Sequence, residues 1–275
     1  MFHSHKDKEK KRKTWYYKFM QYKALMLDVD GTIIPYEYDA LPTKRVEEAI
    51  KKAKEKVAVC IVTGRSYKST KGILNSLNLK NGIAVVDGGA IVIDIETEKI
   101  LSSNFISEED VELVLSVFEK ESAHLFIKDA KSRLDIRDHY DPYVPGQKFE
   151  LVSQFFTDEV FTLEATHGIL KKLSSPTLTT FRSKHKDPNL YGLNIANIHA
   201  SKLHGVLFVS QKLGIRREEM IGVGDGYNDF PLLEACGLKV AMGNALEDLK
   251  GIADYIAPSV DEDGVANVIE KFILI

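Results

Sequence analysis

Carboxylates gather where short apolar runs end. Asp28-Val29-Asp30-Gly31-Thr32 follows the run Ala24-Leu25-Met26-Leu27, and Gly224-Asp225-Gly226-Tyr227-Asn228-Asp229 follows Met220-Ile221-Gly222-Val223. A third polar step, Thr63-Gly64-Arg65, closes the apolar run from Val57 to Val62. Acidic groups aimed at one end of one sheet repel one another unless a cation lies among them. A few carboxylates completed by water and a substrate phosphate is the ligand set of Mg²⁺.

Alone, the pair Asp28 and Asp30 also fits a turn or helix cap, an EF-hand start, or the metal pair of a glycosyltransferase. The EF-hand pattern fails because Gly31 follows Asp30 directly and no Glu stands at the twelfth loop position. The glycosyltransferase pattern leaves the other two polar steps unexplained. Gly222-Val223-Gly224 opens like a dinucleotide fingerprint, but Tyr227 stands where the third glycine belongs.

The elements that must carry these groups follow from periodicity. Ala24–Asp28, Val57–Val62 and Ile83–Val86 read as buried strands, alternating with helical spacing over Thr43–Lys54 and Thr70–Leu77. The alternation resumes late, with helices over Ser201–Leu213 and Pro231–Ala235 and strands over Met220–Gly224 and Leu238–Ala241. Such order predicts an α/β fold with a Rossmann-like parallel sheet, whose ligands bind outside the carboxyl ends of the strands. Between about 89 and 190 the grammar changes: a strand over Ile91–Ile95, a helix over Glu108–Lys120, short strands over Leu125–Lys128 and Val160–Leu163, and a helix over Ala165–Leu173. That stretch reads as an inserted α+β domain, with a loop from Asp138 to Gln147.

The chain has 275 residues, 44% hydrophobic and 28% charged, which suits one large or two modest globular domains and excludes disordered, collagenous and disulfide-framework classes. Its net charge of −3 divides into +5 over residues 1–20 and −8 over the remainder. The basic tail reads as a disordered arm or an unprocessed extension, and it gives no ground for a nucleic-acid partner. The longest apolar run, six residues from Val57 to Val62, is far short of the roughly 18 a membrane helix needs. Cys60 and Cys236 form no framework or metal spacing, which suits a reducing cytoplasm.

Asp28–Thr32, Thr63–Arg65, Lys202 and Gly224–Asp229, in that order, resemble the four motifs of the haloacid dehalogenase superfamily. Val240-Ala241-Met242-Gly243-Asn244-Ala245 and Asp261-Glu262-Asp263-Gly264-Val265 are similar to the end of its Cof-type, subclass IIB phosphatases. The resemblance covers residues 22–97 and 190–275; over the insertion it is one of size and position. It implies a core over 21–88 and 190–275 and an α+β cap over 89–189. Two departures stand out: Asp87-Gly88-Gly89-Ala90 replaces the usual Asn-Gly-Ala, and Leu203-His204-Gly205 follows Lys202 where Gly is usual.

The resemblance implies a Mg²⁺-dependent phosphatase acting on a small phosphorylated metabolite, as a monomer or homodimer. Asp28 would be the nucleophile, Asp30 the general acid and base, and Lys202 the counter-charge to the phosphoryl oxygens. Thr63 and Gly64 would hold those oxygens. Asp28, the backbone carbonyl of Asp30 and Asp225 would bind Mg²⁺, with Asp229 behind them orienting metal waters or Lys202. Arg65 would either contact substrate or pair with an acid at the rim, while Asn228 and Asn244 are candidate substrate-binding residues that would position loops around the metal and phosphate. The rivals are a phosphohexomutase, whose phosphomannomutase-like members resemble the same cap subclass, and a non-catalytic phosphate- or sugar-binding module.

Overall fold

The computed structural model describes residues 20–37, 39–121, 126–131, 135–136, 141–142, 151–156, 163–183 and 192–275. The central strands are β1 (Ala24–Leu27), β2 (Ala58–Val62), β3 (Ile83–Val86), β12 (Met220–Gly224), β13 (Leu238–Ala241) and β14 (Tyr255–Ile256), all parallel. β1 is apolar at all four positions and fully buried, as expected of a strand covered on both faces.

Two more strands extend the sheet, β4 (Ile91–Asp94) antiparallel to β3 and β5 (Ile100–Ser103) antiparallel to β4, giving the order β14-β13-β12-β1-β2-β3-β4-β5. The strand read at Ile91–Ile95 thus extends the core sheet and packs in its apolar core with Val85 and Val86.

Helices cover the sheet. In α1 (Lys44–Ala53) the buried residues Val46, Ala49, Ile50 and Ala53 form one stripe, and the Thr43 hydroxyl caps the start by accepting the Val46 N–H. α2 (Tyr67–Ser76) follows β2, starting earlier than its apolar spacing suggests because the Ser66 side chain caps it. A second apolar cluster joins α3 (Glu108–Glu121) and α4 (Leu163–Lys172) to another sheet: Val114 and Phe118 meet Ile169, Phe155 and Ile195.

That sheet holds β6 (Phe126–Lys131), β7 (Asp135–Ile136), β8 (Asp141–Pro142), β9 (Val152–Phe156), β10 (Leu178–Ser183) and β11 (Gly192–Asn197), with antiparallel pairing throughout. The expected strand over Val160–Leu163 is not seen at Leu163, which opens α4, and residues 160–162 lie outside the described residues. So does the basic tail up to residue 19, along with most of the expected 138–147 loop. No helix among the described residues is long and apolar enough to cross a membrane.

The chain returns to the core as α5 (Lys202–Leu213), which Ser201 caps and Gly214 ends in a left-handed turn at φ 64°. α6 (Phe230–Ala235) follows β12, and α7 (Glu247–Ile252) and α8 (Gly264–Phe272) complete the core.

Candidate active site

β1 lies between β12 and β2, with Leu27 in register with Val223 and Ile61. From β1 the sheet runs one way through β2 and β3 and the other way through β12 and β13. The turns after β1, β2 and β12 therefore share the crevice at the switch point, and they are the three polar steps singled out in the sequence.

Lys202 lies at the centre. It is only 1% exposed, and its Nζ donates to Asp28 Oδ1 at 2.5 Å and to Asp229 Oδ1 at 2.6 Å. It is also the first residue of α5, where the helix dipole disfavours a positive charge, so the two carboxylates supply what the helix end does not. The other Asp229 oxygen accepts the N–H groups of Asp225 at 2.9 Å and Gly226 at 2.8 Å, tying the turn after β12 to the lysine.

Ligand oxygens of Asp28, Asp225 and Asp229 lie within 4.8 Å of one another, and all three residues are buried. With Lys202 the group carries a formal charge of −2. Burial pushes the Asp28 carboxyl well above the usual range; Asp229 adds to this, Lys202 opposes it, and Asp225 adds a smaller push. Burial also lifts Asp225, to about 6, against hydrogen bonds that pull it down. Burial works against the Lys202 charge too, but Asp229 and Asp28 outweigh it and hold the amine above its ordinary value, protonated. A divalent cation would act oppositely on the carboxyls, restoring the ionised forms. The donors are all hard oxygens around a double negative charge, which fits Mg²⁺.

Asp30 stands apart from this cluster. Arg65 holds it as a fork: Nη2 donates to Oδ1 at 2.6 Å, and Nε to Oδ1 and Oδ2 at 3.1 and 3.0 Å. Of the two roles expected for Arg65, pairing with an acid is the one the contacts display. Thr63 is fully buried and its Oγ1 accepts the Arg65 N–H at 3.0 Å, so its own O–H faces elsewhere as a donor. The Asn228 amide lies beside Gly64, since a Cβ there would be 3.7 Å from Asn228 Nδ2. Asn244 donates to the Gly31 carbonyl at 2.8 Å and accepts the Val260 N–H at 2.9 Å.

Two contacts had no sequence signal. Thr32 Oγ1 donates to Asp225 Oδ1 at 3.3 Å, and the Tyr36 hydroxyl donates to Asp225 Oδ2. Tyr36 is 64% exposed, and partial burial of its hydroxyl together with the Asp225 hydrogen bond raises the phenol above its ordinary range and keeps it a donor. Gly31, at φ +79°, lets the turn pass beneath both: a Cβ would lie 2.5 Å from Asp225 Oδ2 and 2.7 Å from Tyr36 Cε2.

The departure at Asp87–Ala90 also has a physical reason. Gly89, at φ +105°, lies so close to the start of α5 that a Cβ would sit 2.0 Å from the Ser201 carbonyl oxygen and 2.8 Å from Lys202 N. Gly89→Ala is expected to destabilise the fold by about 3 kcal/mol, through backbone strain and displacement of the helix start that carries Lys202. Urea unfolding checks it, and an unchanged midpoint would rule the contact unimportant.

The sheet and its acidic, lysine-bridged crevice define a hydrolase core of the Rossmann-like type, split by an α+β insertion. The chain belongs to the haloacid dehalogenase-like hydrolase family, whose model matches residues 25–269. It is 26% identical over 257 residues to phosphoglycolate phosphatase 1 of Saccharolobus solfataricus, covering 91% of this chain and 96% of that one. It is 25% identical over 253 residues to the 5-amino-6-(5-phospho-D-ribitylamino)uracil phosphatase of Bacillus subtilis, covering 92% and 96%. Among solved structures, a subclass IIB sugar phosphatase of the same superfamily superposes with a TM-score of 0.72 at 24% identity, covering 92% of this chain and 100% of that one.

Proposed function

We propose that this chain is a Mg²⁺-dependent phosphatase that hydrolyses the phosphomonoester of a small metabolite, a sugar phosphate or a compound of similar size, through an aspartyl-phosphate. The observation that carries the reading is the Asp28 carboxylate at the switch point, bonded to buried Lys202 and flanked by Asp225 and Asp229. The two curated relatives above are named for different small phosphomonoesters, which supports the reaction class more than any one substrate. The two cysteines, both buried and free, suit the cytoplasmic setting expected from the sequence.

In the proposed mechanism an Asp28 oxygen attacks phosphorus, forming the carboxyl–phosphorus bond as the ester P–O bond breaks. Asp30, which Arg65 pairs with in this structure, would leave that fork and take up a proton from solvent before giving it to the leaving alkoxide. It then takes a proton from water, whose oxygen attacks phosphorus as the bond to Asp28 breaks, releasing inorganic phosphate. Lys202 and the Thr63 hydroxyl face the charge on the phosphoryl oxygens. Asp28, Asp225 and the Asp30 carbonyl would hold Mg²⁺, with Asp229 against the turn behind them. When bound, that ion supplies charge neutralisation and alignment of the phosphoryl group. The insertion would act as a cap that excludes water and selects the leaving group.

The test is phosphate release from an aryl phosphate and from a panel of sugar phosphates, phosphoglycolate and nucleotides. Activity is expected with Mg²⁺, to fall to background in EDTA, and to return when Mg²⁺ is restored. No release across the panel with Mg²⁺ present would overturn the reading in favour of a binding module. Hexose phosphate isomerised without release would favour a mutase.

A further inference from the structure

Asp225 is steered by three donors from two segments: Thr32 on Oδ1 and Tyr36 on Oδ2 from the loop after β1, and Asn244 on Oδ2 from the turn after β13. A carboxylate offers about four lone-pair positions, so these three contacts leave one direction for a cation. They are unequal. Asn244 reaches Asp225 only at 3.5 Å and is engaged by the Gly31 carbonyl at 2.8 Å, and Thr32 is at 3.3 Å. Both are long for hydrogen bonds, which leaves the Tyr36 hydroxyl as the strong restraint. Tyr36 is largely exposed, with its ring edge beside Gly31 and its hydroxyl on Asp225.

We propose that Tyr36 is a positioning residue for the cation site, its phenol hydroxyl fixing the Asp225 carboxylate from the loop that follows the Asp30 turn. This rests on the reading of Asp225 as a Mg²⁺ ligand. Two effects of losing the hydroxyl oppose each other. The carboxylate regains charge density, which favours the cation, and it loses its orientation, which disfavours it. Orientation wins, because at this half-open edge water replaces the hydroxyl as a donor without fixing the carboxylate in place. Groups that orient metal ligands cost 10- to 100-fold in metal affinity when removed.

The experiment is calorimetric titration of the full chain with MgCl₂, without substrate, for wild type, Tyr36→Phe and Asp225→Asn. Tyr36→Phe keeps the ring and is expected to weaken Mg²⁺ binding about tenfold, while Asp225→Asn removes the binding heat and so maps it to this site. A loosening of threefold or more supports the inference; less than threefold overturns it, including the case in which melting temperature falls while affinity holds, which would make Tyr36 a loop anchor. If wild type binds no Mg²⁺, the assignment of Asp225 as a Mg²⁺ ligand fails and this inference with it, whereas phosphate release remains the test of the phosphatase reading. If wild type binds, Asp225→Asn does not, and Tyr36→Phe matches wild type, the inference alone fails.

Discussion

Asp28→Asn is expected to lower phosphate release by about 10⁴-fold or more while leaving the protein folded. The side chain is nearly isosteric, and Lys202 keeps its second partner, Asp229, at 2.6 Å. The substitution also removes one charge from a crowded acidic cluster, where burial and two neighbouring carboxylates already disfavour the ionised Asp28. Thermal stability without Mg²⁺ should therefore be close to that of wild type. What is lost is the attacking oxygen, because an amide cannot form the aspartyl-phosphate. Hydroxylamine trapping after a brief incubation with substrate should capture that intermediate in wild type and none in the variant. Turnover within tenfold of wild type would mean that a different group attacks phosphorus.

The legible parts of this site were those written contiguously. Asp28–Thr32, Thr63–Arg65 and Gly224–Asp229 each sit on one strand end, so position along the chain already implies position in space. Partnerships between segments were not written that way. Arg65 and Asp30 are 35 positions apart, and nothing local marks the arginine as a fork on that acid rather than a substrate contact. Tyr36 looks like any aromatic in a polar loop, and its reach to Asp225 across 189 positions depends on Gly31 lacking a Cβ. The same limit applies to strand partners: an apolar run such as Ile91–Ile95 announces a strand but not its neighbour. Its antiparallel pairing with β3, from Ile83 opposite Asp94 to Val86 opposite Ile91, places it in the core sheet.

Lys202 could pass for a solvated lysine, and the consequence of its burial is the second large effect expected. In Lys202→Met the side-chain volume is kept and the ammonium is lost, leaving Asp28 and Asp229 buried without the cation that bonds both. Breaking a buried ion pair from one side costs about 3–5 kcal/mol, a drop in melting temperature on the order of 10 °C for a chain of this size. Relief at the helix start works the other way, but a charge at a helix terminus contributes only about 0.3–1 kcal/mol. Activity should fall as well, through loss of the counter-charge to the phosphoryl oxygens. The two losses separate in Lys202→Met combined with Asp229→Asn. Removing the stranded carboxylate should recover part of the stability, since the amide oxygen that replaces it can still accept the Asp225 and Gly226 N–H groups, whereas activity should stay lost. A single variant as stable as wild type would show that Lys202 does not hold the cluster together, and recovery of activity in the double variant would show that its charge plays no part in the reaction.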